Sequence, residues 1–256
     1  MKTEILYEDN SILVIRKPAG LAVQSAGIGQ LDVVSELKSY LAKLPGAGRP
    51  GPGKGEPYLG IVHRLDQPVE GLLVFAKDKK AAAILSKQLT EGALNKHYYA
   101  VLCGYPDCPE GDLVDYLRKE GNVAVAVTGR EQEFADAKIA VLHYRILEEI
   151  NDPSPLALAD VTIGTGRFHQ IRVQFAHAGF PLLGDTKYGM AALKEAMPAQ
   201  KYRGVALCAY SLELVHPISG KKMGFRVVPK NPVFAGFAMK ELKKLTENET
   251  GISKRG

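Results

Sequence analysis

Cysteine is scarce in this chain. Its 256 residues hold only three, Cys103, Cys108 and Cys208, and the odd number in so long a sequence rules out a disulfide-built miniprotein. The C-x4-C spacing of the first two lacks a second close pair to complete a zinc tetrahedron, so all three read as buried or incidental thiols. Long apolar runs are lacking too, since none approaches the roughly 18 residues needed to span a bilayer. The opening MKTEILYEDN turns acidic within a few residues and has no basic start, apolar stretch or small-residue cleavage site of a signal peptide. These absences make a cytoplasmic globular protein the expectation. No G-x-S-x-G elbow, no P-loop ending in Gly-Lys-Ser/Thr and no H-E-x-x-H helix occurs. The histidines are scattered, which argues against a metal site.

What is present is an ordinary globular balance: 46% hydrophobic, 24% charged, with a mean hydropathy of -0.08. At about 150 residues per domain the length suggests one or two domains, enough to bury a large core without crosslinks. The net charge of +5 permits a nucleic-acid partner without requiring one. Its distribution is less even than its sum. Residues 201 to 230 carry six Lys or Arg against one acidic group, whereas 96 to 150 carry six against ten. A polarised surface with a one-sided track for phosphate contacts is the expectation, and binding along it would weaken steeply with salt.

Short runs rich in Val, Ile and Tyr predict strands at Ile5 to Tyr7, Ser11 to Ile15, Leu72 to Ala76, His97 to Cys103, Val123 to Val127, Ala137 to Ile150, Leu156 to Ile163, Val205 to Val215 and Lys222 to Val228. Val34, Leu37, Leu41 and Leu44 recur at helical spacing behind Asp32, a plausible N-cap. Further helices are predicted over Lys79 to Glu91, ended by Gly92, over Phe168 to Ala178, and from Pro232 with an apolar stripe of Val233, Phe234, Phe237, Leu242 and Leu245. Many strands with few intervening helices predict an α+β protein on a mixed, mainly antiparallel sheet with flanking helices. The segment PGAGRPGPGKGEP, residues 45 to 57, has no apolar period and reads as a flexible loop within one domain spanning 1–256, and the tail from about 248 reads as frayed.

Two segments are dense in groups that can act. In IVHRLDQP the chain reads as an apolar strand that carries Arg64 and Asp66 two residues apart, on the same side, before Pro68 breaks it. The plainer reading is a surface ion pair worth under about 1 kcal/mol. In GTGRFHQIR, Gly and Thr precede a helix whose first turns hold His169, Gln170 and Arg172, with 169 and 172 on one face. A helix start suits phosphate or carboxylate, but a solvated helix face is the plainer reading there too. A small-molecule hydrolase built on Asp66 and His63 is the weaker option, because nearby residues at odd spacing on a strand face opposite sides.

Together these residues resemble the RluA family of RNA pseudouridine synthases. LYEDNSILVIRKPAGLAVQS is similar to the family's first motif, and HRLDQPVEGLLVFAKD to its catalytic motif, which puts the catalytic Asp at Asp66. NKHYYAV resembles the Lys-x-Tyr-x-Ala motif, with the active-site Tyr at Tyr98, and GTGRFHQIRVQFAHAGFPLLGDTKYG resembles Gly-Arg-x-His-Gln-Ile-Arg followed by Pro-x-x-Gly-Asp-x-x-Tyr-Gly. HPISGKKMGFRVVP resembles the closing segment. Five motifs in order cover nearly the whole chain.

The resemblance implies the pseudouridine synthase catalytic fold and isomerisation of uridine to pseudouridine in structured RNA, ribosomal or transfer, by a monomer without metal or organic cofactor. Asp66 would be the nucleophile, at C1′, at C6 or in glycal formation. A carboxylate suits this because it is ionised at pH 7 and needs no base to activate it, and a nearby cation keeps it so when enclosed. The resemblance gives that cation as Arg172, with Ile171 walling the uracil pocket, Tyr98 stacking on the base, Arg64 filling the space of the extruded nucleotide or holding its phosphate, and Arg167 and His169 among the substrate contacts. Extruding a stacked uracil costs a few kcal/mol.

Two departures stand out. Phe168 occupies a place where the family usually has Thr, Ser or Lys, and Gln67-Pro68-Val69-Glu70 replaces the more frequent Arg-Asp-Thr-Ser. Glu70 would repel phosphate unless turned away. The small S4-like RNA-binding domain of many relatives is not expected. A non-catalytic RNA-binding or RNA-folding module on the same fold is the alternative to an enzyme.

Overall fold

In the computed structural model, residues 1–25, 27, 29–44, 56–128, 136–151, 154–189 and 204–237 are described. Along the chain come β1 (Glu4–Glu8), β2 (Ile12–Lys17), α1 (Val33–Leu41), β3 (Gly60–Ile61), β4 (Glu70–Ala76), α2 (Lys79–Thr90) and β5 (Asn95–Cys103). β6 (Glu110–Glu120), β7 (Val123–Val127), β8 (Lys138–Ile150), β9 (Leu156–Ile163), α3 (Gln170–His177), β10 (Leu207–Val215) and β11 (Lys222–Arg226) follow. The chain divides into two compact units: Met1–Asn95 with Ser211–Val227, and Lys96–Tyr210 with Val228–Gly256. The loop expected at 45–57, apart from its last two residues, and the tail from 248 lie outside the described residues.

The first unit is built on β2 and β4, paired antiparallel with Val14 opposite Val74. Every residue of β4 is buried, and Ile12 to Ile15 of β2 are fully so. A strand covered on both faces has no polar side to alternate with, which is why LLVFA reads as a continuous apolar run. β1 and β3 pair with β2 and β4, and β11 with the end of β10. α1 buries Val33, Val34, Leu37 and Leu41. α2 ends before Gly92, whose φ of 72° lies in the left-handed region that glycine enters without strain.

Asp32 is the α1 N-cap. Its carboxylate accepts hydrogen bonds from the amides of Ser35 and Ser25, both at 2.7 Å. Burial pushes this carboxyl upward, but those two amides and the nearby Lys38 outweigh it and hold it below the usual range. Asp32→Ala is therefore expected to cost about 1 kcal/mol at neutral pH. A group whose folded pKa is depressed contributes above its unfolded value and loses the contribution as pH falls through the folded one. Urea melts of both proteins should show the penalty at pH 7 shrinking in acid, and a penalty independent of pH would contradict this account.

The second unit is an antiparallel sheet in the order β5-β9-β8-β6-β7, with the first part of β10 beside β5. α3 packs on it through Val173, which clusters with Leu117, Ala124 and Ala140. Its buried polar residues pin it down. Gln174 donates to the carbonyls of Leu113 and Ala140 and to the Asp115 carboxylate, while Gln170 donates to the Val141 carbonyl at 2.9 Å. All residues from Gln170 to Phe175 are buried, so the reading of this helix as a solvated face is overturned.

Two other elements differ from the sequence reading. β6 was not legible: EGDLVDYLRKE is mostly charged, yet it pairs with β7 and β8 along its length. The helix expected from Pro232 is a short 3₁₀ turn over Pro232–Gly236 that buries Val233 and Phe234, and Leu242 and Leu245 lie outside the described residues. None of the three cysteines is disulfide-bonded; Cys103 and Cys208 are buried and Cys108 is exposed.

Candidate active site

In the first unit IVHRLDQP is strand only at Ile61, the end of β3, so Arg64 and Asp66 sit in a loop rather than a strand. Burial still alternates along it: His63 and Leu65 face the core, Arg64 is exposed and Asp66 half-buried. Arg64 and Asp66 thus share an outward side, and His63 lies on the other. The inward anchor is specific, because the Val74 amide bonds His63 Nε2 at 3.4 Å.

Lys17 holds this loop from beneath. The side chain is fully buried, and its Nζ donates to the carbonyls of Pro18 (2.9 Å), Leu21 (2.7 Å) and Gln67 (3.0 Å). Gly20, at a φ of 83°, donates its amide to the same Gln67 carbonyl at 2.8 Å, and the Gln67 side chain returns a bond to the Gly20 carbonyl. The residue after Asp66 is thereby tied to the Lys-Pro-Ala-Gly turn. Glu70, at the start of β4, is buried at 4% exposure, which answers the expectation that it must turn away from a phosphate path.

Burial pushes the Lys17 ammonium down to about 7, against the pull of the Asp66 and Glu70 carboxylates, which favour its charged form. Between that value and its ordinary 10.5, the unfolded chain holds a proton that the folded chain has released. Stability contributed through Lys17 therefore rises with pH across this window. In denaturant melts, wild type is expected to gain on Lys17→Met from about pH 7 to about pH 10.5. A difference that stays flat across that range would refute the burial assignment.

The second unit carries the other candidates. Tyr98 on β5 faces Val161 on β9 and is 4% exposed; its neighbour Tyr99 is buried on the opposite side of the strand. The Tyr99 ring stacks on Tyr210 at 3.6 Å, and the Tyr210 hydroxyl donates to Asp160, which also meets His97. Burial, then Tyr99 and Asp160, push the Tyr210 phenol well above its ordinary value. Packing thus occupies Tyr99 and separates it from Tyr98, a distinction the run HYYAVL does not make by itself. Lys96 shares the strand face of Tyr98 by its two-residue spacing, and burial alone pushes its ammonium down to about 8.

Ile171 and Arg172 are buried in the first turn of α3. The Asp185 carboxylate clamps Arg172, accepting from Nε at 2.7 Å and Nη2 at 2.8 Å, and also accepts the amides of Lys187 and Tyr188. Both side chains are nearly inaccessible, and the guanidinium lies over the Tyr188 ring. A bidentate pair of this kind fixes the plane of the guanidinium as well as its charge. His169 is not helical. It caps α3 at a φ of 53°, so it does not share a helix face with Arg172. Arg167 donates its Nε to the Ile139 carbonyl at 2.8 Å and its amide to Gln170. Lys17 and Asp185 are site residues that spacing alone did not single out, although both lie inside the quoted motifs.

Residues 11–177 match the family model described as RNA pseudouridylate synthase. The chain belongs to that family. It is 36% identical over 233 residues to the ribosomal large subunit pseudouridine synthase D of Zymomonas mobilis, covering 87% of this chain and 68% of that one. With an uncharacterized RNA pseudouridine synthase of Synechocystis it shares 37% identity over 228 residues, covering 85% and 63% respectively. The chain thus spans about two thirds of the length of these relatives. The fold matches human RNA pseudouridylate synthase domain containing 1 with a TM-score of 0.70 at 19% identity, over 96% of this chain and 94% of that one. The family fold is the α+β arrangement expected from the sequence, and its members are RNA uridine isomerases. Among the described residues no helix is long and apolar enough to cross a membrane, and no group of three His, Cys, Asp or Glu could hold a metal.

Proposed function

We propose that this chain isomerises uridine to pseudouridine in structured ribosomal or transfer RNA, with Asp66 as the nucleophile. The observation that carries this reading is the support of Asp66, a half-buried carboxylate on a loop whose next carbonyl is held by the buried Lys17 ammonium. Positioning of this kind can supply much of a rate enhancement.

The N1–C1′ bond of uridine breaks, the base turns, and C5 bonds to C1′; the C5 proton leaves to solvent and N1 is protonated. Nothing is oxidised or reduced. Attack at C1′, attack at C6 and assisted glycal formation all need one placed carboxylate. The motif resemblance gives Arg172, whose guanidinium Asp185 orients, as the cation that serves the nucleophile. Tyr98 stacks on the uracil, Ile171 walls the pocket, and Arg64, which is exposed, takes the phosphate of the extruded nucleotide. Arg167 and His169 add substrate contacts. Binding through these cations weakens steeply with salt.

The test incubates the protein with cellular RNA tritiated at uridine C5 and counts label released to water. Release supports the assignment. No release from any RNA pool would reduce the chain to an RNA-binding module.

A further inference from the structure

Phe168 is an aromatic ring with no part in the catalytic chemistry. Phe168 is 37% exposed, next to two residues that hold it in place. His169 stacks beneath it, with ring centroids 3.7 Å apart and planes 22° apart. His169 is itself locked: among the described residues it is the one non-glycine at positive φ, and its Nδ1 meets the Tyr188 hydroxyl at 2.6 Å. That hydroxyl also accepts the Ala124 amide at 2.8 Å. A backbone strained at one residue and anchored at its side chain keeps the preceding ring outward.

Cations border this ring. Lys119 Nζ stands over Phe168 at 5.0 Å from the centroid, and Lys119 is exposed. Arg167 precedes Phe168 in the chain and spends only its Nε on a carbonyl. An outward aromatic plane bordered by a lysine and an arginine is what a single-stranded nucleotide uses, with the base on the ring and phosphates on the cations. The face that Lys119 covers is easily given up, because an exposed cation–π contact is weak and an ammonium gains by moving to a phosphate.

We infer that Phe168 is a stacking platform for an unpaired base of the RNA substrate, with Lys119 and Arg167 holding the adjoining phosphates. This contact rests on the reading of the chain as an RNA-modifying enzyme. It makes an unpaired nucleotide of the RNA part of what the enzyme selects.

The chain has no tryptophan, so Phe168→Trp places a single reporter on the platform. Short single-stranded oligoadenylate should quench its emission, and an abasic oligonucleotide of equal length and charge should not. In the otherwise native protein, Phe168→Leu should weaken oligoadenylate binding roughly 5- to 150-fold, the range for one base stacked on an aromatic ring, with the salt slope unchanged. Lys119→Met should instead reduce the salt slope by about one. Equal quenching by the abasic strand, or wild-type affinity in Phe168→Leu, overturns the platform. Repeating the quench in Asp66→Asn separates the two readings: tritium release without quenching sinks the platform alone, and quenching without tritium release from wild type sinks the isomerase.

Discussion

Asp66→Asn is expected to abolish tritium release from C5-labelled RNA, a fall of about 10⁴- to 10⁶-fold, the scale set by losing a nucleophile elsewhere. Asparagine keeps the shape of the side chain but turns one acceptor oxygen into an NH2 donor and cannot form the covalent bond. The tether survives, because Lys17 reaches the Gln67 carbonyl and not the Asp66 side chain. Folding and RNA affinity should therefore hold close to wild type, and a binding measurement alongside the tritium count checks this. A variant retaining even a hundredth of the activity would remove Asp66 from the chemistry.

Asp185→Ala is expected to destabilise the second unit by about 3–5 kcal/mol, because it leaves the Arg172 guanidinium buried without its bidentate partner. At about 2–4 °C per kcal/mol for a chain of this size, the melting temperature should fall by roughly 6–20 °C. The amides of Lys187 and Tyr188 lose their acceptor in the same change. Stability and function come apart in the double variant Arg172→Met with Asp185→Leu. Replacing both charges by apolar groups should recover most of the melting temperature, while turnover stays lost if the Arg172 charge serves the reaction. A recovered fold with recovered turnover would make the pair purely structural.

How much of this was legible depends on how local each signal is. The LLVFA run, the Asp32 cap and the alternating strands of the second unit follow from neighbours a few residues apart, and the sequence displays them. β6 was hidden because a strand needs no apolar majority when only part of one face is covered. α3 was legible as a helix but not as a buried one, because Gln170, Arg172 and Gln174 look solvated, and their partners, such as Ala140, Val141 and Asp185, lie elsewhere in the chain. Lys17 shows the limit most plainly. Nothing in IRKPAG says that this lysine is fully buried, since one of its three acceptors stands fifty positions away. The motif resemblance located the candidate residues, but not the carbonyls and carboxylates that orient them.

The chain leaves the first unit at Asn95 and returns to it at Ser211, so that unit is finished by residues made late in synthesis. Gln88 exchanges two hydrogen bonds with the Val215 backbone, at 2.7 and 2.9 Å, and Asp9 meets His216 at 2.7 Å. These links close a very long loop. Equilibrium tolerates such a closure, since each doubling of loop length costs only about 0.6 kcal/mol. Kinetics is less forgiving, because contacts distant in sequence form slowly. On the ribosome, the segment carrying Asp66 must wait, incomplete, until the polypeptide has grown past Val227, whereas most of the second unit has by then emerged.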